Sequence, residues 1–319
     1  MKNTAVILLA AGKSTRMKSE LPKVAHPLCG RPVLTYLLET VKAVRVDRTI
    51  AVLGHCHEQV RTIISGDVDV VVQKKLIGTA DAVKTAMPEL KSFKGTVLVL
   101  YGDTPLLTEK TILKLLKFHV ENDSDITLLT GNLEKPDGYG RIVRDKYNCI
   151  YGIVEEKDAS DFQKGIKEIN TGIMCFKQES LAYALKHIKP ANAKKEYYLT
   201  DAIGIIHKRG GLVDGMKISD MNEALGINSR AELAKAQDIM QKRIHEKLML
   251  SGVSVVNPAS TVINYGVKIS PDTTIYPFTV IESNVTIGTR CGIGPFAHVR
   301  SGTRIPDGTI VGNFSDIVR

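Results

Sequence analysis

A run of small and basic residues, Leu9-Ala-Ala-Gly-Lys-Ser-Thr-Arg-Met17, follows a short apolar segment near the start of the chain. Small residues directly after a strand let backbone N–H groups approach a phosphate or the edge of a base. Arg16 and Lys23 can then neutralise the charge that develops on a triphosphate. The run is not a P-loop, because that motif requires a glycine where the chain has Ile7. Alone, the run fits a solvated basic turn as well as a phosphate site.

Short β-branched runs alternate with amphipathic stretches from residue 4 to about residue 227. Strands separated by helices of this length predict βαβ units and a mainly parallel sheet. In such sheets ligands bind beyond the carboxyl ends of the strands, which is where the polar motifs of this chain fall. The predicted strands are Ala5–Leu9, Thr49–Leu53, Val68–Val72, Thr96–Leu100 and Ile126–Thr130, and the predicted helices are Val33–Val44, His57–Ile64, Ala80–Leu90 and Lys110–His119.

A long helix follows, and then the period of the apolar residues changes. Ser229 and Glu232 have the spacing of a capping box, and the helix that they open ends near Gly252. Beyond it, β-branched residues recur at six-residue intervals, a period that predicts a parallel β-helix of hexapeptide repeats, with about three coils. These residues are Ile263, Ile269, Ile275, Ile281, Ile287, Ile293, Val299, Ile305, Val311 and Ile317.

The composition argues against several classes of protein. The 319-residue chain has no apolar run near the ~20 residues of a membrane helix, so we expect a cytoplasmic protein without a membrane partner. Its net charge of +9 is spread along the chain, without a basic block or an aromatic platform, so we expect no nucleic-acid partner. Five scattered cysteines without a CxxC pair argue against a disulfide framework or a thiolate zinc site.

The run from Leu9 to Met17, called the first loop below, resembles together with Pro22-Lys23 the signature of the sugar nucleotidyltransferases. Further motifs, in the same order, resemble the bacterial N-acetylglucosamine-1-phosphate uridyltransferase family, whose members are usually fused to a glucosamine-1-phosphate acetyltransferase. The resemblance covers roughly residues 4–319. Its downstream motifs are Gln73, Gly78-Thr79-Ala80, Tyr101-Gly102-Asp103, Gly138-Tyr139-Gly140-Arg141-Ile142, Ile153-Val154-Glu155, Glu168-Ile169-Asn170-Thr171-Gly172 and Glu196-Tyr197-Tyr198-Leu199-Thr200-Asp201.

The resemblance implies an α/β fold with three parts. These are a Rossmann-like nucleotidyltransferase domain over residues 1–228, a connector helix over 229–252 and a short left-handed parallel β-helix over 253–319. The implied reaction joins UTP and N-acetylglucosamine 1-phosphate to give UDP-N-acetylglucosamine and pyrophosphate, by in-line attack at the α-phosphorus with Mg²⁺. Because the family associates as trimers through the β-helix, the resemblance also implies a homotrimer.

The resemblance assigns roles to individual residues. Arg16 and Lys23 are expected to face the phosphates as catalytic residues. Asp103 and Asn228 are expected to bind Mg²⁺, which accepts carboxylate and amide oxygens, and both, like Lys23, are expected to contact the substrates. The uracil and ribose are expected at Leu9, Ala10, Ala11, Gly12, Gln73, Gly78 and Thr79. The N-acetylhexosamine is expected at Tyr101, Gly102, Gly140, Glu155 and Asn170.

Two features depart from the family pattern. Ser14 stands where the loop's second glycine is expected; serine can take this turn with a negative φ, and its hydroxyl can contact a phosphate. Arg300 matches an arginine of the family's sugar-phosphate site, but the sequence stops at Arg319, before the family's catalytic histidine and its acetyl-CoA-binding coils. His298 does not occupy that histidine's place. We therefore expect no acetyltransferase activity from these residues.

Two alternatives remain open. The first is a pyrophosphorylase for another nucleoside triphosphate and sugar 1-phosphate, although Ala10-Ala11 and the Glu-Ile-Asn-Thr-Gly block at 168–172 favour uridine and an N-acetylhexosamine. The second is a non-catalytic scaffold or regulatory subunit, which this fold can also form. The predicted phosphate and metal residues argue against a scaffold, because a scaffold requires none of them.

Overall fold

The computed structural model describes residues 3–192 and 195–318, and the chain divides into two compact units. The first unit comprises the segment ending at Ala25 together with Val33–Asn228. The second comprises His26–Pro32 together with the chain from Ser229 onward. The segment His26–Pro32 therefore packs with the second unit, whereas the sequence analysis included it in a first domain of residues 1–228.

Short loops connect alternating strands and helices up to Asn228. The strands are β1 (Thr4–Ala10), β2 (Pro27–Leu28), β3 (Arg31–Pro32), β4 (Arg48–Leu53), β5 (Asp69–Val72), β6 (Thr96–Tyr101), β7 (Ile126–Asn132), β8 (Arg141–Arg144), β9 (Ile150–Val154), β10 (Glu168–Lys177) and β11 (Val213–Lys217). The helices are α1 (Val33–Val44), α2 (His57–Arg61), α3 (Thr79–Ala86), α4 (Glu109–Glu121), α5 (Asp161–Lys164), α6 (Gln178–His187) and α7 (Asp201–Lys208). Each strand and helix predicted from the sequence lies within a few residues of its observed bounds.

The sheet of the first unit has the strand order β11-β7-β10-β6-β1-β4-β5. β1 pairs in parallel with β4 and β6, β4 with β5, and β7 with β11. Only β10 reverses direction along this path, pairing antiparallel with β6 and β7. β8 and β9 form an antiparallel hairpin, which joins β10 through the pair Arg141 and Ile169. The predicted mainly parallel sheet is confirmed.

Both faces of the sheet are buried, because alternate residues of β1 enter two different hydrophobic clusters. Ala5, Ile7 and Leu9 pack in a cluster with residues of α3, α6 and α7. Val6, Leu8 and Ala10 pack in a second cluster with residues of α1 and α4. A central strand buried on both faces is a near-continuous apolar run, as in Thr4–Ala10. This burial fixes the carboxyl end of β1, from which the first loop emerges.

The second unit consists of helix α8 (Arg230–Leu250), the β2–β3 hairpin and a parallel β-helix. Ser229 caps α8, since its hydroxyl accepts a hydrogen bond from the backbone N–H of Glu232 at 3.3 Å. Parallel two-residue strands stack in three sheets, and the buried β-branched residues of the six-residue period form a separate core. This arrangement confirms the predicted hexapeptide β-helix and is consistent with a left-handed one.

The turn of the β2–β3 hairpin is held by α8 and by the first coil of the β-helix. The backbone N–H of Cys29 donates to the Gln237 side chain at 3.2 Å, and the N–H of Tyr265 donates to the Cys29 carbonyl at 2.9 Å. Gly30 has a φ of +83°, and a side chain there would overlap Ser283 and Asn264. These contacts explain why the segment belongs to the second unit. Among the described residues, no helix is long and apolar enough to cross a bilayer.

Candidate active site

Lys23, Asp103 and Asn228 meet beyond the carboxyl ends of β1 and β6. The Lys23 ammonium forms an ion pair with the Asp103 carboxylate and donates a hydrogen bond to the Asn228 side-chain oxygen at 2.9 Å. The side chains of Lys23 and Asp103 are only 19% and 11% exposed, so this contact is shielded from most of the solvent. The structure therefore brings together three residues that the sequence analysis assigned to the phosphates and the metal.

Backbone contacts hold these three residues in place. Asp103 follows β6, where the hydroxyl of Thr104 donates to the Tyr101 carbonyl at 2.8 Å and stabilises the turn. The N–H of Ile227 donates to the Asp103 carbonyl at 2.8 Å, which places Asn228 beside the carboxylate. Lys23 opens a short 3-10 turn after Pro22. Asp103 and Asn228 are thus linked through backbone as well as through the ammonium.

The donor set of this cluster suits a divalent cation. Among the described residues, no group of three or more His, Cys, Asp or Glu side chains is arranged to hold a metal. The Asp103 carboxylate and the Asn228 amide oxygen nevertheless converge on one cationic group, the ammonium of Lys23. Two hard oxygens facing one cation position fit Mg²⁺, which keeps water ligands and binds substrate phosphates. Binding of Mg²⁺ by this pair stays a prediction.

The first loop differs from the conformation expected for Ser14. A serine takes this turn easily with a negative φ, but Ser14 has φ 57° and ψ 27°, in the left-handed region. Its hydroxyl accepts a hydrogen bond from the backbone N–H of Lys23 at 3.0 Å. This hydrogen bond offsets part of the cost of a left-handed serine. The serine therefore ties the loop to Lys23, and contact of its hydroxyl with a phosphate stays a prediction.

Gly12 and Arg16 are exposed residues of the first loop. A Cβ built on Gly12 would have no heavy atom within 4 Å, so the backbone there borders open space. Arg16 is exposed on the 3-10 turn Thr15–Met17, and its side chain has no hydrogen bond or ion pair with the other described residues. The structure does not join Arg16 to the cluster of Lys23, Asp103 and Asn228.

Gln73, Gly78 and Thr79 lie between the end of β5 and the start of α3. The buried side-chain amide of Gln73 donates to the Gly78 carbonyl at 3.2 Å and to the Asp81 carboxylate at 2.8 Å. Gly78 has a φ of +131°, and a side chain there would overlap the backbone of Tyr197. The Thr79 hydroxyl accepts from the N–H of Leu199 at 3.0 Å. Close backbone packing therefore requires the glycine and orders this segment.

Tyr101 is the last residue of β6 and lies close to Gly172 and to the charged groups of Glu155 and Asp103. Its ring is partly buried and lies against Gly172, where an added Cβ would come within 3.0 Å of the ring. Burial raises the pKa of Tyr101, and the nearby negative charges of Glu155 and Asp103 raise it further. The phenol therefore stays neutral and can both donate and accept a hydrogen bond.

Gly140, Glu155 and Asn170 also come together. The N–H of Asn170 donates to the Gly140 carbonyl at 2.8 Å. A Cβ on Gly140 would lie 2.8 Å from the Ile153 side chain and 3.3 Å from the Glu155 carboxylate. The Glu155 carboxylate accepts from the Thr200 hydroxyl at 3.2 Å. The structure thus brings together three of the five residues that were predicted to bind the sugar, and their contact with a sugar stays a prediction.

Asp81 and Thr200 also belong to the site, although neither had a predicted role. Asp81 contacts Gln73, and Thr200 contacts Glu155. Thr200 lies in a motif that carried the family resemblance, and that motif was the available signal for it. Asp81 lies in the first turn of α3, where an acidic residue is favourable for any helix, so no signal distinguished it. A cavity of about 580 Å³ lies elsewhere, lined by Asp125, Tyr183 and Arg209 among others and by none of the predicted site residues.

Comparison with known proteins gives concordant results for both parts of the chain. Residues 6–189 match the family model of the MobA-like NTP transferase domain, and residues 266–301 match that of the bacterial transferase hexapeptide (six repeats). The chain is 46% identical to the bifunctional protein GlmU of Pelotomaculum thermopropionicum, over 98% of this chain and 76% of that protein. It is 39% identical to the GlmU of Geobacillus sp. (strain WCH70), over 98% of this chain and 75% of that protein. It is 43% identical to the GlmU of Streptococcus gordonii, over 97% of this chain and 66% of that protein.

Proposed function

The chain belongs to the GlmU family of bifunctional proteins, and on that premise we propose that it transfers a uridylyl group from UTP to N-acetylglucosamine 1-phosphate. The products are UDP-N-acetylglucosamine and pyrophosphate. The observation that carries the proposal is the convergence of Lys23, Asp103 and Asn228 beside the first loop. A site of this kind supplies a positive charge and a position for a cation. Phosphoryl transfer depends on such charge neutralisation and on the positioning of the substrates, and it does not need a protein nucleophile.

The reaction that this site supports is a single in-line displacement. The phosphate oxygen of the sugar phosphate forms a bond to the α-phosphorus of UTP as the bond to pyrophosphate breaks. Lys23 lies where it can neutralise charge on the phosphates, and the exposed Arg16 is free to reach them from the loop. A single displacement inverts the configuration at an α-phosphorus that carries a sulfur label, so retention of configuration would contradict this mechanism.

Asp103 and Asn228 are the residues proposed to hold Mg²⁺. When bound, the ion would screen the phosphate charges and orient the triphosphate. The two oxygens already face one cationic group, which is the feature that supports this assignment.

Gln73 supports the choice of uracil as the base. Both hydrogens of its side-chain amide have acceptors within the protein, the Gly78 carbonyl and the Asp81 carboxylate. Its carbonyl oxygen is then the group left for a ligand, and an acceptor there complements the ring N–H of uracil. We place the uracil and ribose at residues 9–12 with Gln73, Gly78 and Thr79. The N-acetylhexosamine is placed at Tyr101, Gly102, Gly140, Glu155 and Asn170.

Pyrophosphate release, measured with each nucleoside triphosphate against a panel of sugar 1-phosphates, tests the proposal. We expect the highest activity with UTP and N-acetylglucosamine 1-phosphate. A higher activity with another pair would assign the chain to a different pyrophosphorylase specificity, and no activity with any pair would favour a scaffold. A homotrimer, a cytoplasmic location and the lack of acetyl transfer by these 319 residues also stay predictions.

A further inference from the structure

Arg141 is a buried cation that the proposed reaction does not use. Its side chain is only 1% exposed, although it lies directly after Gly140 at the start of β8. The guanidinium forms an ion pair with Glu156 at 2.7 Å and donates to the carbonyl oxygen of Tyr139. Its Nε donates to the Lys164 carbonyl at 3.4 Å. The side chain therefore connects three separate parts of the chain around the proposed sugar site.

Glu156 lies directly after Glu155 and has two partners. The carboxylate oxygen that pairs with Arg141 also accepts a hydrogen bond from the N–H of Gly138 at 3.3 Å. The hydrogen bond from Arg141 holds the pKa of Glu156 below its usual value, so the Glu156 carboxylate is ionised at neutral pH. The ion pair thus joins the residue after Gly140 to the residue after Glu155, at the open end of the β8–β9 hairpin.

The spacing between Gly140 and Glu155 leaves little freedom. A single Cβ on Gly140 would approach the Glu155 carboxylate to 3.3 Å, and the Gly140 carbonyl is bonded to the N–H of Asn170. A small shift of either strand would change the distances among all three residues. Strand pairing alone does not fix this end of the hairpin, because the paired register stops at Arg141 and Val154.

We propose that Arg141 and Glu156 form a positioning pair that sets the distances among Gly140, Glu155 and Asn170 for the N-acetylhexosamine. The inference rests on the proposed function, because that function assigns the sugar to these three residues. Neither Arg141 nor Glu156 is required to touch the sugar. An ion pair with one buried partner contributes little net stability, because the desolvation of Arg141 offsets much of the attraction, so the role of the pair is better explained by the geometry that it imposes.

The hairpin also contains a matched control. Arg144 forms an ion pair with Glu168 through two hydrogen bonds of 2.8 Å each, from the other end of β8. This second pair joins β8 to β10 and does not bridge the residues after Gly140 and Glu155. If the Arg141–Glu156 pair only stabilised the fold, its loss and the loss of the Arg144–Glu168 pair would change the two KM values in the same way.

The experiment compares Glu156→Ala with Arg144→Gln by steady-state kinetics and thermal unfolding. Glu156 is 31% exposed, so its truncation leaves no large buried cavity, and Arg141→Lys provides a second variant that keeps the charge but not the planar fork. We expect Glu156→Ala and Arg141→Lys to raise KM for N-acetylglucosamine 1-phosphate about tenfold, with KM for UTP changed less than about twofold. Arg144→Gln should lower Tm and leave both KM values unchanged.

The possible failures are distinct. Equal effects on the two KM values, or no effect on either, in variants that remain folded would overturn the positioning role. A parent protein that forms no UDP-N-acetylglucosamine would instead contradict the proposed function. Calorimetry of N-acetylglucosamine 1-phosphate binding to the parent and to each variant gives a second measurement of the affinity for the sugar phosphate, without turnover.

Discussion

The Lys23 ammonium donates a hydrogen bond to the Asn228 side-chain oxygen at 2.9 Å, although 205 positions separate the two residues in the sequence. Lys23 follows the loop after β1, and Asn228 is the last residue of the first unit. Asp103, from the end of β6, completes the cluster. The adjacent parallel strands β1 and β6 bring Lys23 and Asp103 together, because their carboxyl ends lie at the same edge of the sheet. Asn228 is placed beside them by the hydrogen bond from the N–H of Ile227 to the Asp103 carbonyl.

Replacement of Lys23 is the first test of this cluster. We expect Lys23→Ala to lower kcat/KM for uridylyl transfer by about a hundredfold or more, because a preorganised positive charge is lost near the phosphates. Initial-rate measurements check this value. The exposed Lys42→Ala on α1 is the control and should retain the parent rate. A Lys23→Ala variant as active as the parent would remove Lys23 from the reaction.

Asp103→Asn tests the proposed metal ligands. The substitution keeps the shape of the side chain but removes its negative charge, so the affinity of the site for Mg²⁺ should fall. We expect the Mg²⁺ concentration for half-maximal rate to rise about tenfold or more. The exposed Asp67→Asn should leave the Mg²⁺ dependence unchanged. An unaltered Mg²⁺ titration of Asp103→Asn would contradict the assignment.

Ser14 allows a test of the loop conformation. Ser14→Ala keeps the left-handed strain and loses the hydrogen bond to Lys23, so it should lower the free energy of unfolding by about 1 kcal/mol. Ser14→Gly loses the same bond but relieves a strain of about 1 kcal/mol, so it should be nearly neutral. Urea unfolding of both variants measures the difference. Equal stability of the two would show that residue 14 is not left-handed in solution.

His119 predicts an acid-sensitive contribution to stability. This buried residue accepts or donates one hydrogen bond with Thr127 at 2.8 Å, and burial lowers the pKa of His119 from 6.5 to about 4. Because the folded pKa lies below the unfolded one, the neutral residue contributes its full stability above pH 6.5. This stability is lost as the pH falls from 6.5 towards 4, and the loss is about 2 kcal/mol by pH 5.

The measurement compares unfolding free energies at pH 7 and pH 5. His119→Asn removes the titrating group and keeps a polar atom near Thr127, so its stability should fall less over this range than that of the parent. The exposed His57→Asn should leave the difference between the two pH values unchanged. The same pH dependence in His119→Asn and the parent would refute the assignment.

The regular parts of the fold were predictable because their patterns are local. Ile263 and the residues that follow it at six-residue intervals are buried in the β-helix core, down to the partly buried Ile317. Helix α1 has the predicted bounds, Val33–Val44, since its apolar residues repeat with the helical period. Ser229 caps α8 as its spacing from Glu232 predicts.

Other features depend on long-range packing that no local pattern reveals. The antiparallel course of β10 is set by pairing with β6 and β7, and the position of Cys29 in the second unit is set by Gln237 and Tyr265. The left-handed backbone of Ser14 is stabilised through Lys23, nine residues away. The candidate site residues could be identified by resemblance to the family. The contacts that hold them in place could not be predicted, because they depend on how distant segments pack.

Uridylyl transfer by this protein is measured most directly by following two products in one reaction of UTP with N-acetylglucosamine 1-phosphate: UDP-N-acetylglucosamine and pyrophosphate. We expect the parent protein to form the two products in equal amounts, and Lys23→Ala to slow the formation of both equally. Absence of both products, or faster product formation with another nucleotide and sugar phosphate, would contradict the proposed function.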